Sequence, residues 1–224
     1  INKSLYELEK LLYLKKNELQ NIIEKKHVFI SGLARSGTTS ILNYIFSNQE
    51  YASLTYKNMP FIFSINLNTK LFSQKKFEPK IRAHKDRIYY SLESPEALDE
   101  PFMNSFKDDN LSSELVNYVS LILNFYNKEK YLSKNNSNYK RINFLKKCFP
   151  NSKILIPFRD PIQQSFSLLN QHINFSKLHE SDNFTLKYMN YLKHNEFGKN
   201  HKAWFEPKLY FDTFELNYWM EQWI

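Results

Sequence analysis

The stretch HVFISGLARSGTTSIL, residues 27–42, decides the fold of this chain. A short apolar run ends at Gly32. A basic residue and Ser36-Gly37-Thr38-Thr39 follow, and then apolar residues return at helical spacing. That order reads as strand, glycine loop, helix. Gly32, four residues, then Gly37 is the glycine frame of a Walker phosphate loop. In such a frame backbone N–H groups converge on an anion, helped by the positive end of the next helix. Thr38, however, stands where a nucleoside triphosphatase carries the lysine that reaches its β- and γ-phosphates. Arg35 supplies a cation inside the loop instead. The loop therefore suits a compact terminal anion with no metal attached.

Composition agrees with a folded domain. The chain has 224 residues, 42% hydrophobic and 17% aromatic, enough for one sizeable α/β core and too apolar for a disordered segment. It holds three glycines, Gly32, Gly37 and Gly198, so two of the three fall in the opening stretch. A net charge of +8 favours anionic partners without choosing among nucleotide, nucleic acid and membrane surface. The lone cysteine, Cys148, excludes an internal disulfide and reads as a core thiol, which fits a reducing, cytoplasmic compartment. No apolar run approaches the ~18 residues of a membrane-spanning helix. The Asn-, Lys- and Ile-rich composition points to a bacterium.

Along the chain, residues 4–25 read as one amphipathic helix, with a capping box at Ser4 and Glu7 and an apolar face of Leu5, Leu8, Leu12, Leu19, Ile22 and Ile23. FIFSINL is strand or helix. Residues 80–84 and 88–92 read as short strands. In SPEALDE, residues 94–100, Ser94 reads as N-cap and Pro95 as first helical residue. A long helix follows over 112–127, a strand over 130–136, a short helix before Pro150, and a second buried strand in KILIPFR, residues 153–159. Asp160 caps the next helix with Pro161 in its first position, and residues 185–194 and 213–224 read as helices. Strands separated by helices imply a central parallel sheet with helices on both faces, a three-layer sandwich like that of P-loop nucleoside triphosphatases, in one domain spanning 1–224.

PFRDPIQQSFSLLNQH, residues 157–172, is the second informative stretch. Arg159 sits at the carboxyl end of a buried strand, where open α/β sheets bind ligands. A strand-end arginine suits a bidentate phosphate contact. Ser167 follows eight residues later on the next helix. Together the two stretches resemble the sulfotransferases that use 3′-phosphoadenosine 5′-phosphosulfate (PAPS), bacterial and carbohydrate-type members included. ARSGTT (34–39) is similar to their 5′-phosphosulfate loop, and FRDP with Ser167 to their 3′-phosphate site. SLTYKNMPF (53–61), RAHKD (82–86), SPEALDE, SKNNSN (133–138) and HNEFG (194–198) extend the likeness over most of residues 27–200. Nothing after Gly198 resembles the basic segment with which such enzymes close over adenine, so the chain reads as truncated at its carboxyl end. Asn58 also stands where an acidic residue is expected.

The resemblance implies sulfuryl transfer from PAPS to a hydroxyl or amine, without metal, releasing 3′,5′-ADP. It implies Arg35 at the sulfonate and leaving group, and Gly32, Ser36 and the N–H groups of Gly37, Thr38 and Thr39 around the 5′-phosphate. Arg159 and Ser167 fall to the 3′-phosphate. His84 is the first choice of base, with Glu93, Glu96 and Glu100 as alternatives. Lys134 is a further cation for the sulfonate. Carbohydrate or another hydroxylated small molecule is the acceptor by resemblance alone. Two other readings stay open: a P-loop kinase with an atypical loop, and a basic nucleic-acid-binding domain that keeps a degenerate one, although no nucleic-acid motif is present.

Overall fold

A computed structural model describes residues 2–71, 80–81, 89–106, 108–206 and 208–223. The chain forms two compact units, Ile1–Ser31 with Thr39–Ile156, and Gly32–Thr38 with Pro157–Ile224.

The larger unit holds the sheet. In chain order its elements are α1 (Asn2–Tyr13), α2 (Leu19–Glu24), β1 (Val28–Ile30), α3 (Thr38–Ser47), β2 (Tyr51–Ala52), α4 (Ile65–Leu71), β3 (Lys80–Ile81), β4 (Tyr89–Tyr90), α5 (Glu100–Met103), α6 (Asp108–Tyr126), β5 (Lys130–Lys134), α7 (Ile142–Cys148) and β6 (Lys153–Leu155). Four strands pair in the order β2-β5-β1-β6, all parallel, with Ile30 in register with Lys134 on one side and Leu155 on the other. Alternation along β1 dresses both faces. Val28 and Ile30 pack with Leu132 and Leu155 against Leu42, Ile45 and Phe46 of α3. Phe29 points the other way and stacks on Phe149, just past α7. This is the parallel sheet flanked by helices that the alternation of elements predicts. β3 and β4 form a separate antiparallel pair. β6 is shorter and less buried than the expected strand. It ends at Leu155, four residues before Arg159, because Pro157 has no N–H for the ladder.

Two expectations need correction. The helix over 4–25 is broken: α1 ends at Tyr13, Lys15 is extended (φ −95°, ψ 90°), and α2 starts at Leu19. At ~100° per residue, Ile22 would lie about 160° around a continuous helix from Tyr6, yet both are buried. The break lets each face inward. The inward side of α1 is also not its leucine side. Tyr6 donates to the Glu114 carboxylate at 2.9 Å, and Glu9 accepts the Asn66 and Leu67 N–H groups at the start of α4, while Leu8 and Leu12 are exposed. Second, residues 94–99 are not a helix start. Residues 94–96 instead pair with residues 54–56, with Thr55 bridging Pro95, Tyr56 N–H donating to Ser94 O and Glu96 N–H donating to Leu54 O. The helix begins at Glu100, with Asp99 before it and Pro101 in its first turn.

The smaller unit contains α8 (Pro161–Ser181), α9 (Asn183–Tyr191) and α10 (Leu216–Glu221). As expected, Asp160 caps α8: its Oδ1 accepts the Gln163 N–H at 2.9 Å. Trp219 of α10 is fully buried, ringed by His172, Phe197, His201 and Trp204. Gly198 (φ +80°) meets α8 so closely that a Cβ would overlap the His179 ring. Its N–H donates to His172 Nδ1 at 3.3 Å, and the Lys199 N–H to His179 Nδ1 at 3.3 Å.

Candidate functional site

The glycine loop and the arginine stretch lie in the same unit and meet. Three residues of the loop have positive φ: Gly32 (+148°), Arg35 (+68°) and Gly37 (+96°). For Arg35 this left-handed conformation costs about 1–3 kcal/mol, so the surroundings must hold it. Ser36 folds back on the loop, its hydroxyl donating to Leu33 O at 2.8 Å. Gly37 has open space where a side chain would stand, with nothing within 4 Å of a Cβ. The loop then runs into the first turn of α3, whose leading N–H groups have no partner within the helix. Thr38 and Thr39 are its first two residues.

The strand end and α8 clamp the loop from three directions. Arg159 Nη1 donates to Arg35 O at 3.1 Å. Ser167 Oγ accepts from Arg35 Nε at 2.9 Å. Gln164 Nε2 donates to Ala34 O at 3.0 Å. Gln164 and Ser167 are three residues apart on α8 and so share a face. The backbone carbonyl and the side chain of Arg35 are thus both held, which answers the strain at that residue. Both arginines are half-buried, and the partners named here are neutral oxygens. Two guanidinium groups and a hydroxyl thus meet in one corner of the smaller unit, and guanidinium groups suit bidentate contacts to anions. Asp160, which a kinase would need as a metal ligand, spends a carboxylate oxygen on the helix cap.

The acidic candidates lie elsewhere, in the larger unit, and are engaged. Glu93 is exposed and pairs with Lys57 at 3.2 Å. Glu96 is buried; it accepts from Tyr56 Oη at 2.9 Å and from the Ala97 N–H at 2.9 Å, and stands 3.6 Å from Lys134 Nζ. Glu100 pairs with Arg141 and accepts from Asn104 and Asn135. Asp99, which the sequence reading passed over, accepts from Ser133 and from Asn135. Burial pushes its carboxyl above the ordinary carboxylate range. Ser133, Lys134 and Asn135 are thus all held by carboxylates of the 96–100 segment. Asn58 accepts the Thr55 N–H at 2.7 Å and the Tyr126 hydroxyl at 2.8 Å, so its side chain closes a turn. His84 lies outside the described residues.

The sequence pointed to Gly32, Arg35, Ser36, Gly37, Thr38, Thr39, Arg159 and Ser167. The structure brings Arg35, Arg159 and Ser167 into contact. Gln164 was missed, although its place one turn before Ser167 on the same helix face could have flagged it.

A parallel sheet with a glycine loop at the carboxyl end of β1 defines the P-loop-like class of α/β fold. Within that class, the profile described as the sulfotransferase family matches residues 27–206. The chain belongs to the sulfotransferase family, and with it to the transferases. No curated protein and no solved structure matches the chain. Among the described residues, no helix is long and apolar enough to cross a membrane, and no group of three or more His, Cys, Asp or Glu side chains could hold a metal ion.

Proposed function

We propose that the chain transfers the sulfuryl group of PAPS to a hydroxyl or amine of an acceptor, a carbohydrate or another small hydroxylated molecule, releasing 3′,5′-ADP. One observation carries this reading: Arg35, Arg159 and Ser167 meet in one corner of one unit. A nucleotide with an anion at each end of its ribose needs such a pair of neighbouring anion contacts. In the reaction the acceptor oxygen or nitrogen forms a bond to sulfur. The bond from sulfur to the bridging oxygen breaks, and its electron pair leaves on 3′,5′-ADP. Arg35 meets the charge that builds on that oxygen. The N–H groups of Gly37, Thr38 and Thr39 hold the 5′-phosphate, and Arg159 with Ser167 the 3′-phosphate. Preorganised donors of this kind are the largest contribution in many enzymes.

The acceptor's proton goes to His84 in this reading. Glu93, Glu96 and Glu100 face cations at Lys57, Lys134 and Arg141. Each of these carboxylates therefore already has a partner within the larger unit. The capping role of Asp160 weighs against the kinase reading.

Thermal stabilisation tests the assignment, since a ligand that binds only the folded chain raises its melting temperature. 3′,5′-ADP should stabilise the chain more than 5′-AMP or ATP with Mg²⁺. A larger shift from ATP–Mg²⁺ would overturn the proposal in favour of a kinase. Tight, salt-sensitive oligonucleotide binding that ignores 3′,5′-ADP would overturn it in favour of a nucleic-acid-binding domain.

A further inference from the structure

Gln164 is 2% exposed and stands between two groups with opposite needs. Ala34 offers a carbonyl, which only accepts a hydrogen bond. Trp223 offers an indole N–H, which only donates. Gln164 Nε2 donates to Ala34 O at 3.0 Å, and Gln164 Oε1 accepts from Trp223 Nε1 at 2.9 Å. The two partners also settle which way the amide points. Glutamate could serve Trp223 but would set a carboxylate against the Ala34 carbonyl. Methionine is similar in length but supplies no N–H and only a weak acceptor.

Each end of this bridge leads somewhere. Ala34 precedes Arg35, the left-handed residue of the loop, so the bond at Ala34 O fixes the peptide that sets Arg35's direction. Trp223 follows α10 and packs edge-on against Phe158 at 5.5 Å, next in sequence to Arg159. Ser165, beside Gln164, donates to Trp219 O at 3.2 Å, so α10 is tied to α8 at two neighbouring residues. All of these residues belong to the smaller unit.

We propose that Gln164 is a positioning residue that holds the loop through Ala34 and couples it to Trp223, so that a nucleotide in the loop is sensed at the carboxyl-terminal helix. This rests on the reading of the corner as a site for 3′,5′-ADP and its sulfated form. Loop order and Trp223 order then rise together. The nucleotide favours the arrangement in which both bonds are made, and losing either bond weakens nucleotide binding.

Calorimetric titration of 3′,5′-ADP into the wild-type chain, Q164M, W223F and the double variant tests this, with tryptophan emission recorded in parallel. Each single variant should bind roughly 3- to 10-fold more weakly, the scale of one neutral hydrogen bond. The double variant should be no weaker than the worse single, because both bonds hang on one amide. The emission change on nucleotide addition should be present in the wild type and lost in Q164M and W223F. If Q164M does not fold, W223F, which removes only the indole N–H and part of one ring, still must weaken binding. Wild-type binding with unchanged single variants, or single effects that multiply in the double, overturns the coupling alone. Failure of the wild type to bind 3′,5′-ADP overturns both the coupling and the functional reading beneath it.

Discussion

Two polar constellations in this molecule use their ionisable groups differently. In the glycine-loop corner, Arg35 and Arg159 are half-buried and meet a hydroxyl and a carbonyl. In the 96–100 segment, three carboxylates are buried, and Glu96 and Glu100 stand opposite Lys134 and Arg141. The bonds of the first corner tie two guanidinium groups to the glycine loop and to α8. The second spends its charge internally and fixes chain segments distant in sequence. The contrast separates a candidate site from a brace, though both are rich in ionisable groups.

Breaking the brace should be the most costly change. Glu100→Ala leaves Arg141, whose side chain is 15% exposed, without its carboxylate. Removal of one partner from a buried pair costs about 3–5 kcal/mol, so a marked loss in denaturant midpoint should appear. A neutral result would put the segment on the side of the site. Arg35→Ala should sharpen the contrast from the other direction. It should lower turnover about 100- to 1,000-fold, the scale of one lost preorganised donor, while 3′,5′-ADP affinity and thermal stability change less. Equal losses of turnover and product binding would mean that Arg35 only binds.

A smaller effect is expected at Arg159. Replacement by Ala should remove about 1.5–3 kcal/mol of charge-assisted binding and erase the preference for 3′,5′-ADP over 5′-AMP. Retained preference would move the 3′-phosphate elsewhere. The mildest expected change comes from pH. His172 must stay neutral to accept the Gly198 N–H, and burial, with His201 nearby, pushes it down from 6.5 to about 4. The unfolded chain therefore takes up this proton first. Stability should fall as pH drops from about 6.5 towards about 4, by about 1–2 kcal/mol at pH 5. His172→Phe should make that slope shallower in a melting series without abolishing it, because burial also holds down His27, His179 and His201. An unchanged slope would free His172 from the effect.

Legibility in the sequence followed locality. The Gly32–Gly37 turn and the Asp160 cap rest on chemistry within a few residues, and both lie where their spacing placed them, whereas β6 ends at Leu155, four residues short of Arg159, and is only partly buried. The 94–100 segment misled for the same reason: Ser-Pro-Glu has a helix-start pattern, but hydrogen bonds with Leu54 and Tyr56, far away in sequence, pair it with that stretch instead. The leucine stripe of α1 misled too, because Tyr6 and Glu9 found partners in α6 and at the start of α4, and helical periodicity cannot show partners.

By itself, the sequence determined the class of fold, the place of the glycine loop and the cap of the helix after Asp160, because backbone freedom, caps and strand-to-helix turns are set by neighbouring residues. Only the tertiary structure decided that Ser167 touches Arg35, that the acids of 96–100 close on cations, and that one buried glutamine joins the loop to the carboxyl-terminal helix. Those facts depend on which side chains of distant segments come within about 3 Å of each other, and no one-dimensional spacing encodes that distance.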